Sequence, residues 1–174
     1  MPGFEPESAL EEALSRDAVM IEGWAWGWPR EGHPEGEVGE HVAHLLHTID
    51  AWGEPEPLRS ELRFLALVHD SLKYRVRNML PKTGENHHAT RARRFAEDYT
   101  DDERILAAIE LHDRPYSLWR RQRRTGRSQD EAIDEMLERI PDVRLFMRFV
   151  ELDASTEGKN PEPVDWLRRQ LDRQ

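Results

Sequence analysis

The sequence predicts an all-helical protein that folds as a single domain, and three observations support this prediction. No segment shows the sustained apolar alternation of a β-strand, and no Asn-Gly pair marks a hairpin. Sequences of the form Ser/Thr-x-x-Glu, which are typical of helix capping boxes, begin at Ser8, Thr100 and Ser128. The length of 174 residues matches one domain of ordinary size.

The predicted helices follow one another along the chain with short Gly- and Pro-rich breaks between them. The capping boxes begin the first, fifth and seventh helices, and the spacing of apolar residues and breakers defines the others. In chain order, we expect helices over 8–21, 38–52, 58–79, 85–99, 101–112, 116–125, 129–140, 142–156 and 162–173.

One loop and two terminal segments complete the predicted organisation. The segment GWAWGWPREGHPEG, residues 23–36, is rich in Trp, Gly and Pro. It is either a loop pinned to the core by its Trp side chains or a wall over a site. We place the core at about 38–156, with an N-terminal helix and this loop in 1–37 and a tail and helix in 157–174.

The composition excludes several classes of protein and site. A net charge of −10 argues against polynucleotide binding, although it leaves room for a local basic pocket that binds a small phosphate. Without cysteine there are no disulfides or thiolate metal sites, so any metal must be held by His and carboxylates. A helix that spans a membrane needs a run of about 18 apolar residues, and no segment of the sequence contains one. Because MPGFEPESALEEAL also lacks the apolar core of a signal peptide, we expect a cytoplasmic protein. The sequence leaves its oligomeric state open.

Helical periodicity predicts which polar side chains of 38–52 point into the protein, because each residue turns the helix by about 100°. Three histidines share this segment. His41 borders the apolar stripe, roughly 85° from its centre, whereas His44 and His47 lie roughly 145–155° away. His41 is therefore the candidate for an internal role.

The same reasoning places further histidines and acids inside the protein. The segment 58–79 is apolar all round, which predicts a buried helix. The inward-facing groups are His69 and Asp70 in 58–79, His88 in 85–99, His112 in 101–112 and Asp153 in 142–156, while His87 faces outward. Each could be an ordinary buried polar residue. As a set with few inward Lys or Arg to pair them, they indicate a shared cation.

The order of these residues resembles the HD superfamily of metal-dependent phosphohydrolases. That pattern is a His, a His-Asp doublet about thirty residues later and a distant Asp, all on helices. Here it is formed by His41 in GEHVAHLL, His69-Asp70 in LALVHDSLKY and Asp153 in FVELDAST, with His69 following His41 by 28 positions. Lys73 completes the His-Asp-x-x-Lys sequence that is frequent in the family. His112-Asp113 is a second His-Asp doublet, so the dipeptide alone is weak evidence.

The resemblance implies a metal centre with one or two ions. Some HD proteins add two histidines between the doublet and the last Asp, and His88 and His112 match that addition. Carried over, one ion takes His41, His69, Asp70 and Asp153, and the second takes Asp70, His88 and His112, with Asp70 bridging. Imidazole and carboxylate ligands suit Fe, Mn, Zn, Co or Ni.

The function that the resemblance implies is hydrolysis of a small phosphate ester, with a nucleotide as the favoured substrate, by a metal-activated water. Asp70 is expected to orient that water as well as bind metal. Lys73 and Arg91 are the candidate phosphate-binding residues; the alternatives are a solvated lysine and an ion pair of Arg91 with a neighbouring acid.

The subfamily and the reaction class stay open at this point. Ser71-Leu72 follows the doublet where alarmone hydrolases have Glu-Asp, and no Gly-Tyr-Pro signature of cyclic-di-GMP phosphodiesterases is present. The His88 and His112 match also keeps a di-iron oxygenase in view, of which myo-inositol oxygenase is an example. A regulatory module that binds metal without turnover is the third alternative.

Overall fold

The described residues of the computed structural model are 3–29, 34, 36–156 and 158–173. Their regular structure is helical, apart from one isolated antiparallel bridge between Gly27 and Glu37. The all-α prediction is therefore confirmed for this part of the chain. None of its helices combines the length and the apolar character that crossing a membrane requires.

Most of the helices are shorter than predicted and end a few residues earlier, but the helix predicted over 38–52 has those bounds and the one predicted over 116–125 begins earlier, at Arg114. Two 3-10 turns, Lys73–Arg75 and Gly84–Asn86, stand beside the α-helices. The α-helices are α1 (Ala9–Arg16), α2 (Ala18–Trp24), α3 (Val38–Trp52), α4 (Leu58–Val68), α5 (His88–Ala96), α6 (Glu103–Leu111), α7 (Arg114–Thr125), α8 (Asp130–Leu137), α9 (Val143–Asp153) and α10 (Glu162–Leu171).

The predicted first helix, 8–21, is two helices that meet at Asp17. Ser8 accepts a hydrogen bond from the backbone N–H of Glu11 at 3.2 Å, as its capping box predicts. Asp17 then ends α1, and its carboxylate accepts from the N–H of Val19 at 2.7 Å to begin α2. A short acid at this position favours a new helix start over continuation, because its side chain competes for the backbone donors.

The other two capping boxes are wrong in detail. Asp102 caps α6 in place of Thr100, since its carboxylate accepts from the N–H of Arg104 at 2.9 Å. The residue before α8 is Gln129, whose side chain caps no N–H of that helix, although the hydroxyl of Ser128 accepts from the N–H of Asp130 at 3.3 Å. Carboxylates accept more strongly than hydroxyls, so an Asp close to a Thr can take over the cap.

The predicted helix 58–79 is wrong beyond residue 68. The α-helix ends at Val68, and the chain continues through tight turns into the 3-10 turn that begins at Lys73. Ser71 stabilises the first turn by donating from its hydroxyl to the carbonyl of Val68 at 2.8 Å. The His-Asp doublet therefore lies at the C-terminal end of α4, not in its middle.

Helix α4 lies at the centre of the fold and packs against α3, α6 and α9. Every residue from Leu62 to Val68 is buried, as the apolar run predicts. The surrounding helices present apolar stripes to it, and one buried apolar cluster extends from Leu14 to Leu167. The rigid packing of this cluster fixes where the surrounding helices end, and those ends carry the polar groups discussed next.

Candidate metal centre

Histidine and aspartate side chains from five helices converge beside the C-terminal end of α4. His41 comes from the first turn of α3, where its neighbours Val42 and Leu45 bury that face. The others stand at helix ends, where a side chain can point along the helix axis instead of away from it. They are His69 and Asp70 after α4, His88 at the first position of α5, His112 directly after α6 and Asp153 at the last position of α9.

The first group of donors joins α3, α4 and α9. The Nε2 atom of His41 lies 3.0 Å from Oδ1 of Asp153, and Nε2 of His69 lies 3.5 Å from the same oxygen. The His69 Nε2 atom is also 3.4 Å from Oδ2 of Asp70. Ligands that surround one ion at 2.0–2.2 Å are separated from each other by about 3.0–3.4 Å. His41, His69 and Asp70 therefore form a group whose donor atoms all lie close enough to share one ion, and Asp153 adjoins both of its histidines.

The second group of donors joins α4, α5 and α6. The Oδ1 atom of Asp70 lies 3.3 Å from Nε2 of His88 and 3.6 Å from Nε2 of His112. The two Nε2 atoms are 3.4 Å apart. Since Oδ2 of Asp70 faces the first group and Oδ1 faces the second, this one carboxylate stands between two sets of donors. Buried His and Asp groups that can hold a metal ion are thus present, and they share Asp70.

Backbone carbonyls define which ring nitrogen of two histidines is available. Nδ1 of His112 lies 2.8 Å from the carbonyl oxygen of Ile109, and Nδ1 of His69 lies 3.1 Å from that of Ala66. A carbonyl only accepts, so both Nδ1 atoms carry hydrogen and both Nε2 atoms point into the centre, where each offers a lone pair when its ring is neutral. Metal-binding histidines are usually oriented in this way.

Two buried atoms in the centre lack a hydrogen-bond partner among the described residues. They are Nε2 of His69 and Oδ1 of Asp70. An unsatisfied buried acceptor costs roughly 1–3 kcal/mol, and more when it is charged. A cation between the two sets of donors would satisfy both atoms, so the residues present fit a bound metal.

The pKa shifts of the centre show which of its groups are ionised. Burial disfavours the charged form of Asp70, yet Lys73 and His69 hold the pKa of this carboxyl well below its usual value. Burial opposes protonation of His69, but the charge of Asp70 outweighs it and raises the pKa of His69 to about 9. Burial and the charge of Lys159 lower the pKa of His41 to about 4. The carboxylates are therefore ionised and hold positive charge beside them.

Two lysines supply part of that positive charge. The ammonium group of Lys73 pairs with Oδ2 of Asp70, and Lys159 donates to Oδ1 of Asp153 at 2.6 Å. Each lysine thus occupies an oxygen that also faces the histidines. A bound divalent ion would compete with these pairs and leave both ammonium groups available to another anion.

Two cavities open beside the centre. The larger one has a volume of about 620 Å³, and its lining includes Lys73, Asp113, Tyr116, Arg120, Asp153 and Lys159. The smaller one, of about 510 Å³, is lined in part by Trp26, Trp28, Tyr74, His87, His88 and Asp113. Lys73 and Asp113 border both cavities, and the larger cavity gives a small molecule access to the carboxylates of the centre.

Different residues of the Trp-rich segment 23–36 match its two predicted interpretations, a loop pinned to the core and a wall over a site. Trp24 is fully buried in α2 and donates from its indole nitrogen to the carbonyl of Leu67 at 3.0 Å. Trp26 and Trp28 instead line the smaller cavity. Residues 30–33 and 35 of the loop lie outside the described residues.

The two predicted phosphate-binding residues differ in placement. Lys73 borders both cavities and pairs with Asp70. Arg91 lines neither cavity, and its Nε atom is buried without a hydrogen-bond partner among the described residues. The structure therefore brings Lys73 to the centre but does not bring Arg91 there, because α5 starts at His88 and carries Arg91 one turn away.

Four residues near the centre were missed from the sequence. Asp113 lies 3.1 Å from His88 Nε2, and Thr156 places its hydroxyl 3.1 Å from His41 Nδ1. Lys159 pairs with Asp153, as described above. His87 was predicted to face outward, but it is half-buried, and the centroid of its ring lies 4.6 Å from that of His88. The second His-Asp doublet, His112-Asp113, was a sequence signal that could have identified Asp113 as a residue of the centre.

No protein-family model, curated protein or solved structure matches this chain. The resemblance to the HD superfamily therefore stays a prediction, and the geometry of the centre is the basis for assigning a function.

Proposed function

We propose that this protein is a metal-dependent phosphohydrolase that acts on a small phosphate ester, with a nucleotide as the favoured substrate. One observation carries the proposal: two sets of His and Asp donors share Asp70 at the wall of a cavity whose lining also includes the cationic side chains of Lys73, Arg120 and Lys159. Shared carboxylates and an anion-binding pocket together are the arrangement that phosphoryl transfer requires.

The residues that would hold the ions follow from the distances. His41, His69, Asp70 and Asp153 would hold one, and Asp70, His88 and His112 the other. When bound, such ions lower the pKa of a water molecule and polarise a phosphoryl oxygen.

The protein's own side chains would position the phosphate. Lys73 and Lys159 lie at the border between the donors and the larger cavity, so both can reach phosphoryl oxygens there. Asp70 can accept a hydrogen bond from the attacking water. This bond would orient the water towards phosphorus. These roles keep Lys73 and Asp70 in the catalytic machinery and add Lys159 to it.

The rest of the larger cavity suits the organic part of a substrate. Its volume of about 620 Å³ lies within the range of small-molecule sites. Val150, Ala154 and Val164 give it an apolar wall, and Tyr116 is a ring on which a base can stack. Arg120 borders the same space and has no ion-pair partner among the described residues, so it is available to a second anionic group.

A panel of phosphate esters tests the proposal. Chelator-treated full-length protein is reloaded with Mn²⁺ or Co²⁺ and assayed against p-nitrophenyl phosphate and nucleoside mono-, di- and triphosphates. We expect phosphate release that depends on added metal. Lys159→Ala should raise KM by about tenfold, the equivalent of one charge-assisted hydrogen bond, whereas Arg144→Ala, an exposed cation outside the cavity, should not. Metal-loaded protein that hydrolyses none of these esters would contradict the proposal.

A di-iron oxygenase is the second candidate, because a His- and carboxylate-only donor set with a shared Asp70 also suits two irons. Oxygen consumption by an iron-loaded sample, with a mixed-valent signal, would favour it over hydrolysis. Metal binding without either activity would favour the regulatory module.

A further inference from the structure

Asp113 has neither of the usual structural roles of a partly buried acid. It directly precedes α7, but its side chain accepts no hydrogen bond from the first turn of that helix. Among the described residues, no lysine or arginine lies within ion-pair distance of its carboxylate; its close neighbours are His88 and His112. With no cap and no Lys or Arg pair among the described residues, this carboxylate has the two imidazoles as its close partners.

The two oxygens of Asp113 face two different imidazoles of the second donor group. Oδ2 lies 3.1 Å from Nε2 of His88, and Oδ1 lies 3.6 Å from Nε2 of His112. These distances fall in the same range as the 3.3–3.6 Å that separates Asp70 Oδ1 from the same two nitrogens. Asp113 thus borders the second donor group as closely as Asp70 does.

The orientation of His112 directs its Nε2 atom at two carboxylate oxygens of the second donor group. Its Nδ1 hydrogen is directed at the carbonyl of Ile109, so in the neutral ring Nε2 is a lone-pair acceptor. That lone pair faces oxygens of Asp70 and Asp113, and Nε2 of His88 lies 3.4 Å from it. Three acceptors that face each other in this way are compatible with a positive ion at their common focus.

We propose that Asp113 is a fourth protein ligand of the second ion, together with Asp70, His88 and His112. The second His-Asp doublet then contributes both of its side chains to one ion, whereas the first doublet serves both ions through Asp70. The inference rests on the metal centre of the proposed function but not on hydrolysis. Two imidazoles and two carboxylates form a donor set suited to Fe, Mn, Zn or Co.

Metal stoichiometry tests the role of Asp113 directly. Full-length chelator-treated protein is titrated with Mn²⁺ or Zn²⁺ by calorimetry, and bound metal is measured after removal of free ions. We expect two ions in the unmodified protein and one in Asp113→Ala, with the affinity of the remaining site unchanged. A residue that only orients a ligand weakens binding roughly 10–100-fold, so loss of the second ion beyond that range identifies a ligand.

Two further variants keep the result interpretable. Asp101→Ala removes an exposed acid outside the centre and should bind two ions normally. Asp113→Asn keeps the shape of the side chain and serves if Asp113→Ala does not fold, as judged by circular dichroism of the metal-free proteins. If the Asp113 variant that folds binds the second ion as tightly as the unmodified protein, Asp113 is not a ligand.

The test separates this inference from the proposed function. If two ions bind and Asp113→Ala loses one, but no phosphate ester is hydrolysed, the ligand assignment holds and hydrolysis fails. Unmodified protein that binds fewer than two ions overturns the assignment of Asp113, whether or not esters are hydrolysed.

Discussion

Two buried charged clusters in this molecule differ in how their charges are neutralised. In the first, Arg63 and Glu11 are almost fully buried and form a bidentate pair at 2.7 and 2.8 Å. The backbone N–H of Glu7 also donates to Glu11, and Arg63 also donates to the carbonyl of Glu5. Every charge in this cluster has a partner of the opposite sign within the chain.

The second cluster is the candidate metal centre, where imidazole nitrogens and carboxylate oxygens from several helices face one another. Nε2 of His69 and Oδ1 of Asp70 have no hydrogen-bond partner among the described residues. The comparison teaches that burial of charge does not by itself mark a functional site. The first cluster is complete without a ligand. In the second, Lys73 and Lys159 pair with the carboxylates, yet the two unsatisfied atoms remain, and a bound cation would satisfy them.

The largest expected effect that separates the two clusters is loss of metal from Asp70→Ala. Because both donor groups use this carboxylate, we expect the variant to bind no ion, and elemental analysis of purified protein measures this. Glu11→Ala removes a carboxylate of similar burial from the other cluster and should keep its metal when folded. Metal retained by Asp70→Ala would show that the two groups are not joined through Asp70.

The second effect concerns stability. Arg63→Ala leaves the Glu11 carboxylate buried without its partner, which costs about 3–5 kcal/mol. The free energy of unfolding in urea should fall by this amount with or without metal. Arg59→Ala, which breaks more exposed pairs with Glu7 and Asp50, should cost about 1 kcal/mol or less. Equal losses for the two variants would contradict the distinction between buried and exposed pairs.

The third effect is stabilisation by metal, which should be confined to the second cluster. A ligand that binds only the folded state at 100 times its Kd stabilises it by about 2.7 kcal/mol. We expect Mn²⁺ or Zn²⁺ to raise the Tm of the unmodified protein and of Arg63→Ala alike, but not that of Asp70→Ala. Thermal scans at a fixed metal excess measure this, and a metal-induced rise in Tm for Asp70→Ala would show that the ion binds elsewhere.

The fourth effect is a pH dependence of the metal-free protein. The pKa of His69 is raised from 6.5 to about 9, so its contribution to stability is fully present below pH 6.5 and is lost as pH rises through 9. His41, with its pKa lowered to about 4, contributes no opposing change above pH 6.5. The Tm of metal-free protein should therefore fall between pH 6.5 and 9. A flat profile in that window would argue against a protonated His69.

The smallest effect is expected outside both clusters. His44 and His47 share α3 with His41 but are exposed. His44→Ala and His47→Ala should leave metal content unchanged and alter stability by less than about 0.5 kcal/mol. Metal analysis of the two variants beside His41→Ala measures this difference. If His44→Ala strips the metal and His41→Ala does not, the assignment of faces on α3 is wrong.

The sequence was informative where a helix is long and regular. Helix α3 spans Val38–Trp52, as predicted, and buries His41 while exposing His44 and His47. Periodicity succeeds there because a constant turn of about 100° per residue relates every side chain to one apolar stripe.

The sequence was least informative where a helix ends without a breaker. Apolar residues such as Leu72 continue past Val68, so the pattern extends the predicted helix to residue 79. The actual end depends on tertiary packing that spacing does not reveal. The residues after α9 follow the same principle: the chain turns after Asp153 and brings Thr156 to His41 and Lys159 back to Asp153.

The packing of Gly23 limits how far the chain can be shortened. A methyl group on Gly23 would lie 1.9 Å from the carbonyl oxygen of Ser71, the residue that follows the first His-Asp doublet. The close contact between α2 and Ser71 therefore helps to fix the turn that contains Asp70. A truncated protein limited to 38–156 would lose this contact and would also lose Lys159. The smallest autonomous folding unit should consequently begin well before the first histidine of the motif.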